Sequence, residues 1–472
     1  MLIEKRLTSM MNIRMVGNTF LINYVYQNII NYNSFLYDNK DNFDVIFETS
    51  LRNLIISNTN NKDVPVYLRI LEIIASYVHF NKREKININE ISKLIAEYKE
   101  EYEERVNTNI FITNMIKCKI FTYKNDDNYA FANRMYLSYF VAKHVCFQIN
   151  SYDDYSLFQS ILSNVCFGIN SDILFFIIYL LQNVKIISAI FDFAENITQN
   201  WTNISFDNDN INCFTGLKRI NKKIKITNEI KNEINDSKDK QEIINIENYN
   251  ISCEGLYDYN EEEVFLESNQ VLCLYKCIQL LARSIPSFSS ILTGDLKHTF
   301  ASSLYDFTDK FLYKLIKPID DEFDEFCLFL NSDGNKDDLS KIKSNLNRFL
   351  LQFVFITYDS VSKLAVSNRS INILCEEANI NVCTNRIMKV LCLSNYNNEE
   401  KFYIEADQFL KDYHKAYVIY LLQNIILQYI FDRDLDYKTR QKLLALANKC
   451  NGNRHEMINE KQIKLQKMKS RL

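Results

Sequence analysis

Glycine and proline are nearly missing from this chain, with seven and three residues among 472, where ordinary usage would be about 7% and 5%. A β-sandwich or a succession of βα units needs such residues at its turns, whereas long helices do without both. The shortage therefore points to a mainly α protein. Strong charge of one sign is also lacking, since the formal net charge is −4, and no global field draws the chain to nucleic acid or anionic lipid. The longest apolar run, Ile173 to Leu181, is nine residues, against the ~20 that a membrane-spanning helix requires. The twelve cysteines include no CxxC pair and no spacing suited to zinc, so they are expected to act as small hydrophobes and no metal site is expected. With no cationic and apolar leader, such thiols suit a reducing cytoplasm.

Catalytic motifs are missing as well. No GxxxxGK[ST] string wraps phosphate, no GxSxG elbow and no HExxH helix occurs, and His79, His144, His298, His414 and His455 stand far apart. The expectation is a chain without a catalytic residue and without a cofactor of its own.

What is present is apolar mass: 47% hydrophobic and 13% aromatic residues, enough for two to four cores at ~100 to 200 residues each. The excess of Asn, Ile, Lys and Tyr looks like a low-GC coding bias. Helical spacing predicts helices over Met15 to Ile30 and Phe43 to Ile56, then a break at Ser57 to Asp63 before Pro65 opens another. Helices are expected over Val66 to Phe80, over Ile91 to Tyr98 with Asn89 as cap, and through Val106 to Ile116. Period-two alternation at Ile120 to Tyr123 and Tyr129 to Phe131, around Lys124 to Asn128, predicts a β-hairpin that leads into a helix from Arg134 to Phe147. Three helices followed by a hairpin is the order of a winged helix. Further helices are expected at 153 to 165, 171 to 200, Asn269 to Ile285 ending at Pro286, Phe300 to Ile316 ending at Pro318, 338 to 366, 403 to 431 and 436 to 449, with a weaker segment at 370 to 396. Asp320, Asp321, Glu322, Asp324 and Glu325 are read as opening the helix after Pro318. No fixed repeat period emerges, so the array is read as irregular, HEAT-like stacking.

The stretch from Tyr129 to His144, YAFANRMYLSYFVAKH, resembles the end of the winged-helix domain in STAND-type (NACHT-like) ATPases. There a Tyr-x-Phe-x-His strand leads into a Ser-Phe-x-Glu-Tyr-Phe-Ala-Ala helix. Phe131 matches the strand's anchor, and Tyr136, Tyr139, Phe140 and Ala142 match the face packed beneath it. The family's histidine, which the resemblance ties to sensing nucleotide phosphates, stands at Asn133, an amide without imidazole's charge option; its glutamate stands at Ser138. Gly17 to Ile22 resembles a helix start of the family's lid domain, with Thr19 in the place of proline. The stretches Asn170 to Asn183 and Leu280 to Pro286 resemble helical regions that follow the winged helix in some bacterial members.

The resemblance implies a regulatory and sensor region whose P-loop ATPase core is not on this chain, an N-terminally incomplete or split member. Its expected parts are a lid-like helical segment (1–60), a winged-helix domain (61–148), a helical segment (149–216), a charged linker or excursion (217–250), a helical array (251–453) and a basic tail (454–472). Asn133 and Arg134 are the candidate nucleotide-sensing residues, with ATP or ADP as a cofactor only where an upstream ATPase domain is present. The implied partners are proteins, a trigger or the ATPase domain, in a signalling or anti-phage defence switch, with an oligomer on activation as an option and no membrane. Nucleic acid is disfavoured: the helix Ile91 to Glu100 offers Lys93 and Lys99 against Glu97 and Glu100, amid Glu90, Glu101, Glu103 and Glu104. A free-standing helical scaffold, or a winged-helix nucleic-acid regulator, are the other readings.

Overall fold

A computed structural model describes residues 43–59, 63–217, 267–287, 291–330, 336–379, 381–396, 398–433 and 435–450. The expected helix at Met15 to Ile30, the lid-like start at Gly17, the 217–250 excursion (apart from Leu217) and the basic tail lie outside these residues. Seventeen α-helices, one 3₁₀ turn and one small antiparallel sheet make up the described chain. No described helix is long and apolar enough to cross a membrane. The chain divides into two compact units, Met1–Ile187 with Asn228–Asn269 and Ser188–Thr227 with Gln270–Leu472.

The first unit holds α1 (Phe43–Asn58), α2 (Val64–Phe80), β1 (Ile86–Asn87), α3 (Ile88–Tyr102), α4 (Thr108–Lys117), β2 (Phe121–Tyr123), β3 (Asn128–Phe131), α5 (Arg134–Tyr152), α6 (Ser156–Ser163), α7 (Asn170–Leu181) and the start of α8 (Val184–Thr198). Pro65 sits in the first turn of α2, where its missing amide costs nothing. Asparagines open three of these helices. Asn87 caps α3 by accepting the Asn89 amide at 2.9 Å, while Glu90 reaches back to the Asn87 amide at 3.0 Å. Asn107 accepts the Ile110 amide at 3.1 Å and Asn133 that of Met135 at 2.8 Å. The expected cap at Asn89 is thus corrected to Asn87, because a short strand delivers the chain in extended conformation two residues earlier.

The expected hairpin is present, with Phe121 opposite Phe131 and Tyr123 opposite Tyr129. Its turn places Asp126 and Asp127 at φ of 60° and 56°, left-handed angles that match the twist of the strands it joins. A third strand went unforeseen: β1 pairs antiparallel with β3, Ile86 opposite Tyr129, giving the order β1-β3-β2. Two residues carry no readable alternation. Several helices end on a non-glycine residue in the left-handed region, among them Glu103 and Gln182 at φ of 53° and 45°, as a glycine-poor chain must.

The second unit contains the rest of α8, the 3₁₀ turn Asn212–Gly216, and α9 (Glu267–Ser287), α10 (Gly294–Asp321), α11 (Phe323–Leu330), α12 (Lys336–Ala365), α13 (Ile371–Glu377), α14 (Cys383–Tyr396), α15 (Glu399–Asp412), α16 (Ala416–Asp432) and α17 (Tyr437–Cys450). Helix α12 packs on α10, α14 and α16, and α15 on α17. The expected helix at 403–431 is two helices, α15 and α16, and the weak segment 370–396 is α13 and α14.

Neither Pro286 nor Pro318 ends its helix. Both lie inside, within the last turn, where a proline forfeits a single amide bond and the chain completes the turn regardless. Asp320 and Asp321 consequently close α10 rather than open its successor, while Asp324 and Glu325 do stand in the first turn of α11. Asp320 turns inward instead, accepting the amides of Asn212 and Cys213 at 3.1 and 2.7 Å and so capping the 3₁₀ turn. Those bonds, with Lys317 alongside, hold its carboxyl below the usual range against the opposing effect of burial.

Candidate functional site

The junction between β3 and α5 is built from aromatic rings. Phe121 meets Phe131 at 5.1 Å, Phe131 meets Phe140 at 6.2 Å, and Tyr139 meets Phe176 of α7 at 5.5 Å and Phe47 of α1 at 5.3 Å. Each such pair contributes ~0.5 to 1.5 kcal/mol beyond its area. The chain of rings fixes the direction in which α5 leaves the hairpin, and hence the position of Asn133 and Arg134 at its start.

Asn133 is buried and its side-chain oxygen caps α5. Arg134, the first residue of α5, donates from its guanidinium to Asp172 Oδ2 at 2.9 Å. Asp172 is buried in the first turn of α7, where a carboxylate complements the helix dipole. Ser138 is fully buried and donates to the Arg134 carbonyl at 2.8 Å. The two sequence candidates therefore stand side by side, the amide engaged in a cap and the cation balanced by a carboxylate. Asp172 was not foreseen as a partner; the signal available was an acid at the head of the most apolar of the described helices.

Nearby, Arg69 lies 3.5 Å over the Phe147 ring and bonds Glu72 at 2.6 Å. Burial nonetheless pushes the Glu72 carboxyl up. Burial lowers His79 to about 4, and lowers His144 to about 4 with help from Arg69, so both imidazoles are neutral at pH 7. His144 Nδ1 has no hydrogen-bond partner among the described residues. The eleven described cysteines are free. Burial raises Cys118 to about 11 and Cys146 to about 12, which removes the thiolate at neutral pH.

The second unit holds a polar cluster that sequence reading missed. Asp309 of α10 is buried and accepts the Tyr358 hydroxyl of α12 at 2.6 Å and the Thr384 hydroxyl of α14 at 2.7 Å. Its own carbonyl accepts the Ile204 amide at 3.2 Å. Burial pushes the carboxyl up to about 7, the two hydroxyl bonds opposing and Asp306 adding to the rise. Its signal was legible in principle: a charge beside the apolar stripe Ala301, Leu304, Tyr305 and Leu312.

The segment before the 3₁₀ turn is fastened from the same side. Lys415 donates to the Phe206 and Asp207 carbonyls at 2.6 and 2.9 Å and to Asp209 at 2.8 Å. Tyr417 bonds Asp209 too, and Asp207 accepts the Cys383 amide at the head of α14 at 2.9 Å. Among the described residues no group of His, Cys, Asp and Glu is arranged to hold a metal ion. These arrangements join helices and a strap to one another through carboxylates and hydroxyls. No protein family's pattern, no curated protein and no solved structure matches this chain.

Proposed function

We propose that this chain is a non-catalytic regulatory and recognition region of a STAND-type (NACHT-like) ATPase, with a winged helix as its switching element and the helical array as a surface for a protein trigger. The observation that carries the reading is the element order of the first unit, α2-β1-α3-α4-β2-β3 with sheet order β1-β3-β2, running through a ring-locked junction into α5. That order is the one a winged helix has, and the junction is where the sequence resemblance lies. Asn133 and Arg134 then face the ATPase domain's nucleotide once Asp172 releases the guanidinium. Nucleotide is a cofactor of the assembly and not of this chain. The setting is a signalling or anti-phage defence switch in the cytoplasm; this last step rests on family analogy.

The helix that precedes the hairpin, and so takes the recognition position of a winged helix, is α4 and not the Ile91 to Glu100 segment. Its outward side carries Asn109, Ile110, Thr113, Ile116 and Lys117, a single cation beside two apolar residues. That surface favours a protein over a phosphate backbone. Calorimetry with ADP and ATP tests the proposal, on the purified chain and after mixing it with a P-loop ATPase fragment encoded at the same locus. Nucleotide binding by the mixture, weakened by Arg134→Ala, is the expected result. Failure of the two proteins to associate would leave the free-standing scaffold as the better account.

A further inference from the structure

Helix α11 is apolar at six of its eight positions, and a helix apolar on every side is ordinarily buried. Here only Cys327 is buried, while Phe326, Leu328, Phe329 and Leu330 are exposed by 40%, 57%, 80% and 47%. Four adjoining large apolar side chains in water mark a surface that something covers. Charge says what kind of partner. Of the acids around the start of α11, Asp321 pairs with Lys317 at 2.6 Å and Asp324 with Lys343 at 2.7 Å. Glu322 and Glu325 are exposed and make no ion pair among the described residues. Helical spacing sets Glu322 one turn before Phe326, and Glu325 one turn before Phe329, so the two carboxylates share the face of the exposed rings.

We propose that α11 docks a basic amphipathic helix from another protein, with apolar anchors a turn apart against Phe326, Phe329 and Leu330 and Lys or Arg opposite Glu322 and Glu325. A second copy joined through the same face brings two more unpaired glutamates and, as cations, only Lys317 and Lys343, already paired with Asp321 and Asp324. An anionic lipid surface meets the same carboxylates. The partner class follows from like-charge repulsion at a desolvating rim, which rejects both alternatives and leaves a basic helix favoured. The inference rests on reading the array as a recognition surface and gives that surface an address and a ligand chemistry.

The test uses the full chain and a labelled synthetic amphipathic helix of leucine and lysine, with the leucine and glutamate counterpart as its pair, read by fluorescence anisotropy. The lysine peptide binds, the glutamate peptide does not, and salt weakens the complex. Phe329→Ser, at a position already open to water, lowers affinity tenfold or more, while Phe349→Ser, 66% exposed on α12, leaves it unchanged. Glu322→Gln with Glu325→Gln removes most of the salt dependence. Equal binding of both peptides, indifference to Phe329→Ser, or a dimer of the chain that Phe329→Ser dissociates would each overturn the proposal. No ATPase enters this assay, so a negative result here beside a positive ATPase association would remove the docking site alone.

Discussion

Replacing Asp309 with asparagine should flatten the pH dependence of the second unit's stability. The folded carboxyl titrates at about 7, raised by burial from 3.8, whereas in the unfolded chain it returns to ~3.9. Because the folded value is the higher one, the stabilising contribution is whole below about pH 4 and is lost progressively as pH rises to 7. Three pH units at ~1.36 kcal/mol each give a ceiling of about 4 kcal/mol. Asparagine is close in shape to the protonated acid and can both accept from and donate to the Tyr358 and Thr384 hydroxyls, at a cost of ~1 kcal/mol where one bond is poorly made. The variant should therefore be equal to the parent or about 1 kcal/mol weaker at pH 3, below the unfolded pKa, and roughly 2 to 4 kcal/mol stronger at pH 8. The chain has one tryptophan, Trp201, which lies in the same unit with Lys314 of α10 at 5.4 Å from its ring. Its fluorescence follows this unit through a urea titration. Asp306, Asp207 and Cys383 stay in place in both proteins, so the difference between the two pH profiles isolates Asp309. Parallel profiles, or a variant weaker than the parent at pH 8, would show that the carboxylate is well solvated or strongly bonded in its charged form, and the reasoning would fall.

Three further outcomes test the first unit. Phe131→Ala should cost ~3 to 5 kcal/mol, read as faster amide hydrogen exchange throughout β2, β3 and the first turns of α5; protection equal to the parent's would mean that the rings do not hold the junction. Arg134→Ala should cost more than Asp172→Asn, since the first takes the guanidinium away from a buried carboxylate and the second leaves a solvent-reachable cation; equal losses in thermal unfolding of the first unit would argue that Asp172 is already hydrated. Glu103→Gly and Gln182→Gly should each raise stability by up to ~1 kcal/mol, because both residues sit in the left-handed region that penalises a Cβ. A fall in melting temperature for both would contradict that account.

The sequence carried the local part of this protein. Apolar residues at helical spacing, Pro65 at a helix start, Asn and Asp around a turn and a switch to period two placed most helices and the hairpin, since each signal acts within a few residues. The ring-bearing positions Phe131, Tyr139 and Phe140 were legible as packing for the same reason. Prolines misled where they fell in a last turn, because the rule that a proline breaks a helix depends on how many amide bonds remain to be lost. Everything that turns on partners far along the chain was decided by the tertiary structure. β1 is two residues long and exists only because β3 offers it an edge. Arg134 found its charge partner 38 residues away at Asp172, and Asp309 found its donors 49 and 75 residues away at Tyr358 and Thr384. Composition records that such groups are present, but desolvation and distance set their protonation and their bonds, and both quantities come into being only when the helices pack.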